Sequence, residues 1–271
     1  MKHVADRPQA LSPAQHHPHS EHLLEVAAGV ATPACATLVA AHMVMCPTCR
    51  TEVARLEENL AALVFGDPAA LDDFTARATQ DRHPEPNAEA AQQARADGGN
   101  PQRRRAAFLR RYFPKRVLSE GERRRLPGPL LEAIEAHSDQ AWRPFLPGVE
   151  RIALDGLSGW TAAGSNTSDD AGRVALLNLA PGLRLFEHSH QGSELTLVLS
   201  GAYRDQTGRY ATGDVATMDE GSAHAIEIEA GEPCIALVVQ DALLQPSDRR
   251  GRMARRVTRL IQGLTGDLSL F

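Results

Sequence analysis

The segment His188-Ser-His190-Gln-Gly-Ser-Glu194, answered thirty residues later by His224, constrains this chain more than any other feature. Residues two apart on a strand project from the same face, so His188 and His190 aim two imidazoles at one point. Glu194, past the turn at Gly192, brings a carboxylate to that point, and His224, after Gly221, adds a third imidazole. Three imidazoles and one carboxylate suit Zn, Fe, Mn or Ni, and the donor set alone does not choose between them. The surrounding texture is β. Alternating segments at 173–179, 183–190, 195–200, 214–218, 225–228 and 234–239 are separated by Gly or Pro. Many short strands with evenly spaced turns predict a small barrel or jelly roll.

The first quarter of the chain reads differently. From Glu21 to about Leu63 the apolar residues recur at helical spacing, and Gly29 and Pro33 break the pattern, which predicts three short helices with tight turns. Within them lies His42-Met-Val-Met-Cys46-Pro-Thr-Cys49. His42 and Cys46 are one helical turn apart, Cys49 follows almost a turn later, and all three can converge on one ion. Pro47 suits the first turn of a helix, which puts the cysteines where one helix ends and the next begins. Thiolates with imidazole in a closed tetrahedron indicate structural zinc. A fourth donor comes from the crowded run that holds His16, His17, His19 and His22. About fifty residues bury little apolar surface alone, and a zinc site contributing on the order of 10 kcal/mol would secure them.

Composition narrows the setting. At 271 residues, two modest domains fit better than one large one. The net charge of −5 gives no general attraction to nucleic acid or anionic membrane. No run of eighteen apolar residues occurs, and the N-terminus lacks an apolar h-region, so a cytoplasmic protein is expected. Four cysteines, two of them beside His42, read as metal ligands rather than a disulfide framework. Residues 1–15 read as a polar tail and 66–102 as a spacer rich in Ala, Asp, Gln, Pro and Gly. Residues 103–125 hold nine Arg and one Lys against two Glu, either a solvated basic face or a surface for an acidic partner. A basic stretch at 249–259 predicts a C-terminal helix.

Two family patterns match these residues. Gly182-x5-His188-x-His190-x3-Glu194-x6-Gly201 resembles the first cupin motif without a gap, and Gly213-x5-Asp219-x-Gly221-x2-His224 resembles the second. In that family Pro usually stands at the place of Asp219 and Asn at that of Ile228. The N-terminal run His17-Pro18-x2-Glu21-x-Leu23-Leu24 is similar to the opening helix of zinc-binding anti-sigma factors, whose H-x3-C-x2-C spacing is kept by His42, Cys46 and Cys49. The interval from His17 to His42 selects His17 as the fourth ligand under that resemblance, which leaves His16, His19 and His22 as solvated or supporting residues. Together the two halves resemble the ChrR-type regulators. Leu126-Pro-Gly-Pro and Trp142-Arg-Pro-Phe-Leu-Pro-Gly148 look like the entry to the cupin half of that family.

The resemblance implies an α+β protein. A zinc-binding anti-sigma helical domain would occupy 16–65, a polar then basic linker 66–125, a cupin barrel 126–240 and an extension 241–271, with a candidate fourth helix near 103–113. It implies zinc on His17, His42, Cys46 and Cys49, and zinc or another divalent metal on His188, His190, Glu194 and His224. The helices would present an apolar stripe to an extracytoplasmic-function (ECF) type sigma factor, and the cupin would sense an oxidative signal and release it. Neither direct DNA binding nor a membrane is expected. Buried Cys35 and Cys234 read as small hydrophobes, Cys234 with a redox role as the alternative. The competing functions are a cupin metalloenzyme such as a dioxygenase, with Tyr203, Arg184 and Asp219 around its pocket, and a scaffold in which the ions only staple the fold.

Overall fold

The computed structural model describes residues 13–65, 116–154, 157, 173–190, 192–219, 221–240 and 244–246. Three helices come first: α1 (Ser20–Ala27), α2 (Pro33–Met45) and α3 (Pro47–Phe65). The Thr32 hydroxyl caps α2 by accepting from Cys35 N at 3.3 Å, and Pro33 starts the helix where no amide donor is needed. Pro47 opens α3 one residue after α2 stops, as its place in the sequence predicts.

After these come strand β1 (Arg116–Val117), a single helical turn α4 (Glu120–Arg123) and helix α5 (Gly128–His137). Ser119 and Glu122 close a reciprocal capping box on α4. Twelve further strands follow: β2 (Ala141–Leu146), β3 (Val149–Ala153), β4 (Arg173–Leu179), β5 (His188–His190), β6 (Glu194–Ser200), β7 (Ala202–Arg204), β8 (Arg209–Ala211), β9 (Val215–Met218), β10 (Ala223–His224), β11 (Glu227–Ile228), β12 (Cys234–Gln240) and β13 (Leu244–Pro246). They form a seven-stranded sheet in the order β1-β2-β3-β4-β12-β6-β9 and two three-stranded sheets, β10-β5-β13 and β11-β7-β8. Every pairing is antiparallel. The α+β architecture is therefore the one that the sequence predicts.

Helix α2 decides how the helices meet the sheet. Its sequence, PACATLVAAHMVM, is apolar on every side, and such a helix is stable only when surrounded. It packs against α1 and α3 on one flank and against α5, β6 and β12 on the other. Leu38 and Val39 are fully buried in one hydrophobic cluster with Leu130, Ile134, Leu197 and Leu237. Most of the apolar stripe expected to await a partner is thus already used inside the chain. Leu24 on α1, Val44 on α2, Leu63 on α3 and Val30 in the α1–α2 turn remain exposed.

Three segments that the sequence reading places outside the two domains make defined contacts. Gln15, placed in the tail, is anchored through its backbone to Asp214. Strand β13, placed in the C-terminal extension, pairs with β5. The described part of the basic segment is held in ion pairs: Arg116 with Glu122 and Glu150, Arg123 with Glu135, and Arg124 with Glu120. The candidate helix at 103–113 and the basic stretch at 249–259 lie outside the described residues. Among the described residues no helix is long and apolar enough to cross a membrane.

Candidate metal centres

His17, His42, Cys46 and Cys49 come together with one donor atom from each, all within 4.8 Å of one another. Cys46 caps the C-terminus of α2, its amide bonded to the His42 carbonyl at 2.8 Å, and Cys49 follows in the first turn of α3. His17 Nδ1 lies 3.5 Å from the Cys46 sulfur and 3.3 Å from that of Cys49. Two donors on one tetrahedral zinc, at ordinary Zn–N and Zn–S lengths, stand about 3.6 Å apart, so these separations fit.

His42 makes the fit chemical as well as geometric. Its ring is fully buried, and its Nδ1 lies 2.9 Å from the Gly213 carbonyl, which only an N–H can approach. The other nitrogen, Nε2, is buried with no hydrogen-bond partner, so its lone pair is free to bind an ion. Burial pushes the imidazole down to about 4, which keeps it neutral as a ligand must be. Burial also pushes the Cys49 thiol up to about 12, with Cys46 adding to the shift. A divalent ion would displace that proton by its own charge.

The sheet reaches this cluster through one turn. Gly213 has a φ of +98°, a conformation that L side chains rarely adopt, and there its carbonyl meets His42. The next residue, Asp214, is buried and accepts hydrogen bonds from Gln15 N at 2.6 Å, His16 N at 3.0 Å and Ala211 N at 2.9 Å. Val215 N closes the clamp onto the His16 carbonyl at 3.0 Å, and the His16 ring rests on Tyr210. His17 therefore leaves a backbone fixed on the sheet. Nothing in the local sequence marks Gly213 or Asp214 for this role, because their partners lie about two hundred residues away.

The second constellation is assembled by strand pairing. His188 on β5 stands opposite His224 on β10 in register, and their Nε2 atoms are 3.0 Å apart. His188 Nδ1 faces the Phe186 carbonyl at 3.1 Å and His224 Nδ1 faces Asp205 Oδ2 at 3.0 Å. Each Nδ1 can hold these partners only as a donor, which turns the lone pair of each neutral Nε2 toward the other. Two lone pairs at 3.0 Å repel unless a cation or proton lies between them, and about 3.0 Å separates cis nitrogens on an octahedral ion. This donor pair is compatible with a metal. Burial pushes the Asp205 carboxyl up, yet hydrogen bonds from His224, Thr207 and Gly208 outweigh it and hold Asp205 below its ordinary value.

Glu194 is buried on β6, accepting from the Thr196 hydroxyl at 3.2 Å and from the Gln240 amide. Among the described residues, His188, His224 and Glu194 do not close into one group with all donor atoms within 4.8 Å. The His190 backbone pairs with Leu244, and its side chain lies outside the described set. Beside the pair an open groove of about 720 Å³ is bounded by Arg184, Phe186, Arg204, Asp205 and Ala225. Of the three residues expected around a pocket, only Arg184 lines it. Tyr203 is buried under Tyr210, and Asp219 is exposed. Asp205, Thr196 and Gln240 escape the sequence reading; the Asp205-x-x-Gly208 turn is the one local cue to any of them. Cys234 is fully buried and its thiol is pushed up to about 12, the state of an inert hydrophobe.

Known proteins match along both halves. A family model described as the ChrR cupin-like domain matches residues 132–244. The anti-sigma-E factor ChrR of Cereibacter sphaeroides is 30% identical over 233 residues, spanning 85% of this chain and 92% of that protein. In the solved complex of Rhodobacter sphaeroides SigE with the anti-sigma ChrR, one chain superposes with a TM-score of 0.51 at 24% identity. The match covers 84% of this chain and 99% of that one, a likeness in fold.

Proposed function

Because this chain belongs to the ChrR family of anti-sigma factors, we propose that it binds an ECF-type sigma factor through its N-terminal helices and withholds it from RNA polymerase. The observation that carries this reading is a match to an anti-sigma factor that runs through both halves of the chain. Zinc on His17, His42, Cys46 and Cys49 fits the donors present, and when bound it would fix a closed tetrahedral cross-link. His17 ties the N-terminal segment to that point, and Cys46 and Cys49 tie the α2–α3 junction to it. Since most of α2 is enclosed, the remaining outer surface of the helices carries the contact, with Leu24 of α1, Val30 of the α1–α2 turn, Val44 near the end of α2 and Leu63 of α3 as apolar anchors. The protein works in the cytoplasm, where its partner does.

We read the cupin half as the sensor. A divalent metal would rest on His188 and His224, with His190 and Glu194 completing the ligand set. A change there, oxidative or by small-molecule binding in the adjacent groove, would reach the helices through the 211–215 turn. Catalysis at this centre is the second reading. Against it, Asp205, the carboxylate bonded to His224, already accepts from His224, Thr207 and Gly208 and so is engaged in holding the ring and its own turn. The test is transcription in vitro from a promoter read by an ECF-type sigma factor of the same organism. Added full-length protein should silence it and stay bound to sigma on gel filtration. Transcription unaffected by a stoichiometric excess would refute the assignment.

A further inference from the structure

A third group of donors lies at the elbow between α1 and α2. His22, Glu25 and Cys35 each offer one atom, all within 4.8 Å of one another. His22 and Glu25 sit three apart on α1 and share a face, while Cys35 stands in the first turn of α2. The sequence reading leaves His22 as a solvated or supporting residue, and the structure buries it, with 9% of its side chain exposed. Neither ring nitrogen makes a hydrogen bond. The nearest charges are Glu25 Oε2, 3.7 Å from Nδ1, and Glu21 Oε1, 3.9 Å from Nε2. A buried imidazole without partners is unfavourable, and the nitrogens point at groups that are themselves donors to a cation.

Cys35 is almost fully buried and belongs to no disulfide. Burial, with Glu25 adding, pushes its thiol up to about 12, so the thiol stays protonated unless a cation stands beside it. The 3.7 Å between His22 Nδ1 and Glu25 Oε2 is near the roughly 3.3 Å expected of nitrogen and oxygen on one tetrahedral ion, and Glu25 is exposed enough to adjust.

We propose that His22, Glu25 and Cys35 form a further binding site for a divalent transition metal of the zinc type, separate from the four-ligand cluster. One imidazole, one carboxylate and one thiolate leave a fourth position for water, and Glu21 faces the other ring nitrogen of His22. The mixed donor set selects a borderline-soft ion over calcium or magnesium. Three ligands with an exposed carboxylate make an exchangeable site rather than a permanent one. When filled, it ties α1 to the start of α2.

Cobalt distinguishes this site from the others, since thiolate ligation gives a charge-transfer absorption that histidine and carboxylate do not. Full-length protein is first saturated with zinc and freed of excess. Cobalt is then titrated in while released zinc is followed with a chromogenic indicator. The expected result is a thiolate–cobalt band that saturates without zinc release. It should be abolished in Cys35→Ala, and its midpoint should rise at least tenfold in Glu25→Gln, a surface change that leaves folding intact. An absent band in wild type, a band that tracks zinc release, or an unchanged band in Cys35→Ala would each overturn the proposal.

Discussion

His42 and Gly213, separated by 171 positions in the chain, meet in a buried hydrogen bond of 2.9 Å between an imidazole Nδ1 and a backbone carbonyl. The bond makes a turn of the sheet part of the helical cluster's surroundings. It sets the tautomer of His42 and leaves the lone pair on Nε2, the atom available to a metal. A shift in the 211–215 turn would rotate a proposed ligand directly, with no relay through the rest of the protein.

Asp214 holds that turn against the N-terminal segment. Asp214→Ala removes the acceptor for three amides, those of Gln15, His16 and Ala211. Loss of such supporting partners typically lowers metal affinity about 10–100-fold. We expect that drop at the helical cluster, read by competition against a chromophoric chelator. An affinity equal to wild type would mean that the clamp does not support the ligands.

Leu38 tests whether helices and sheet unfold together. It is fully buried in the cluster that includes Leu130, Leu197 and Leu237. Leu38→Ala should destabilise the protein by about 2–5 kcal/mol. Helical ellipticity and tryptophan fluorescence, read in a Trp160→Phe background so that Trp142 alone reports, should still fall in one coincident urea transition. Two separate transitions would show that the halves are energetically independent.

Metal-free protein should weaken in acid. Burial holds His42 at about 4 in the folded state, against an ordinary value of 6.5. Between these values the unfolded chain binds the proton and the folded one does not, so stability falls as pH is lowered. The contribution is intact above about pH 6.5 and lost progressively toward pH 4. Urea midpoints of chelator-treated protein should follow this course, and His42→Asn should flatten it. A slope unchanged by that substitution would place its origin elsewhere.

Asp205 addresses the cupin centre alone. Asp205→Asn keeps the shape but removes the carboxylate that orients His224, and should weaken metal binding there about 10–100-fold. Glu194→Ala removes the buried carboxylate proposed to complete that centre. Both variants should bind sigma as wild type does when unstressed and release it abnormally under oxidant, measured by a sigma-dependent reporter. Normal induction in both would remove the sensor role.

The sequence carried the local parts of this molecule and missed the long-range ones. Helical spacing, Pro33 and Pro47 marked three helices to within a few residues, because caps and periodicity are short-range. Strands β4, β6 and β12 were legible as alternating apolar runs. Strands β7 and β8, three residues each, were not, and neither was α5, which its burial against α2 stabilises. The spacing of His42, Cys46 and Cys49 was plain, whereas Gly213, Asp214 and Asp205 act through partners that only the fold supplies. His22 stood in the sequence as a solvated or supporting residue, and only the packing of α1 on α2 shows that it is buried.

The central claim is that a metal held by His17, His42, Cys46 and Cys49 keeps the helices in the shape that grips sigma. It is tested by mixing the full-length Cys46→Ser, Cys49→Ser double variant with the ECF-type sigma factor that wild type binds, and counting complex and bound zinc by gel filtration with metal analysis. The variant should lose one zinc equivalent relative to wild type and elute apart from sigma, while wild type elutes as a stoichiometric complex. A variant that lacks the zinc and still forms the complex as wild type does would contradict the account.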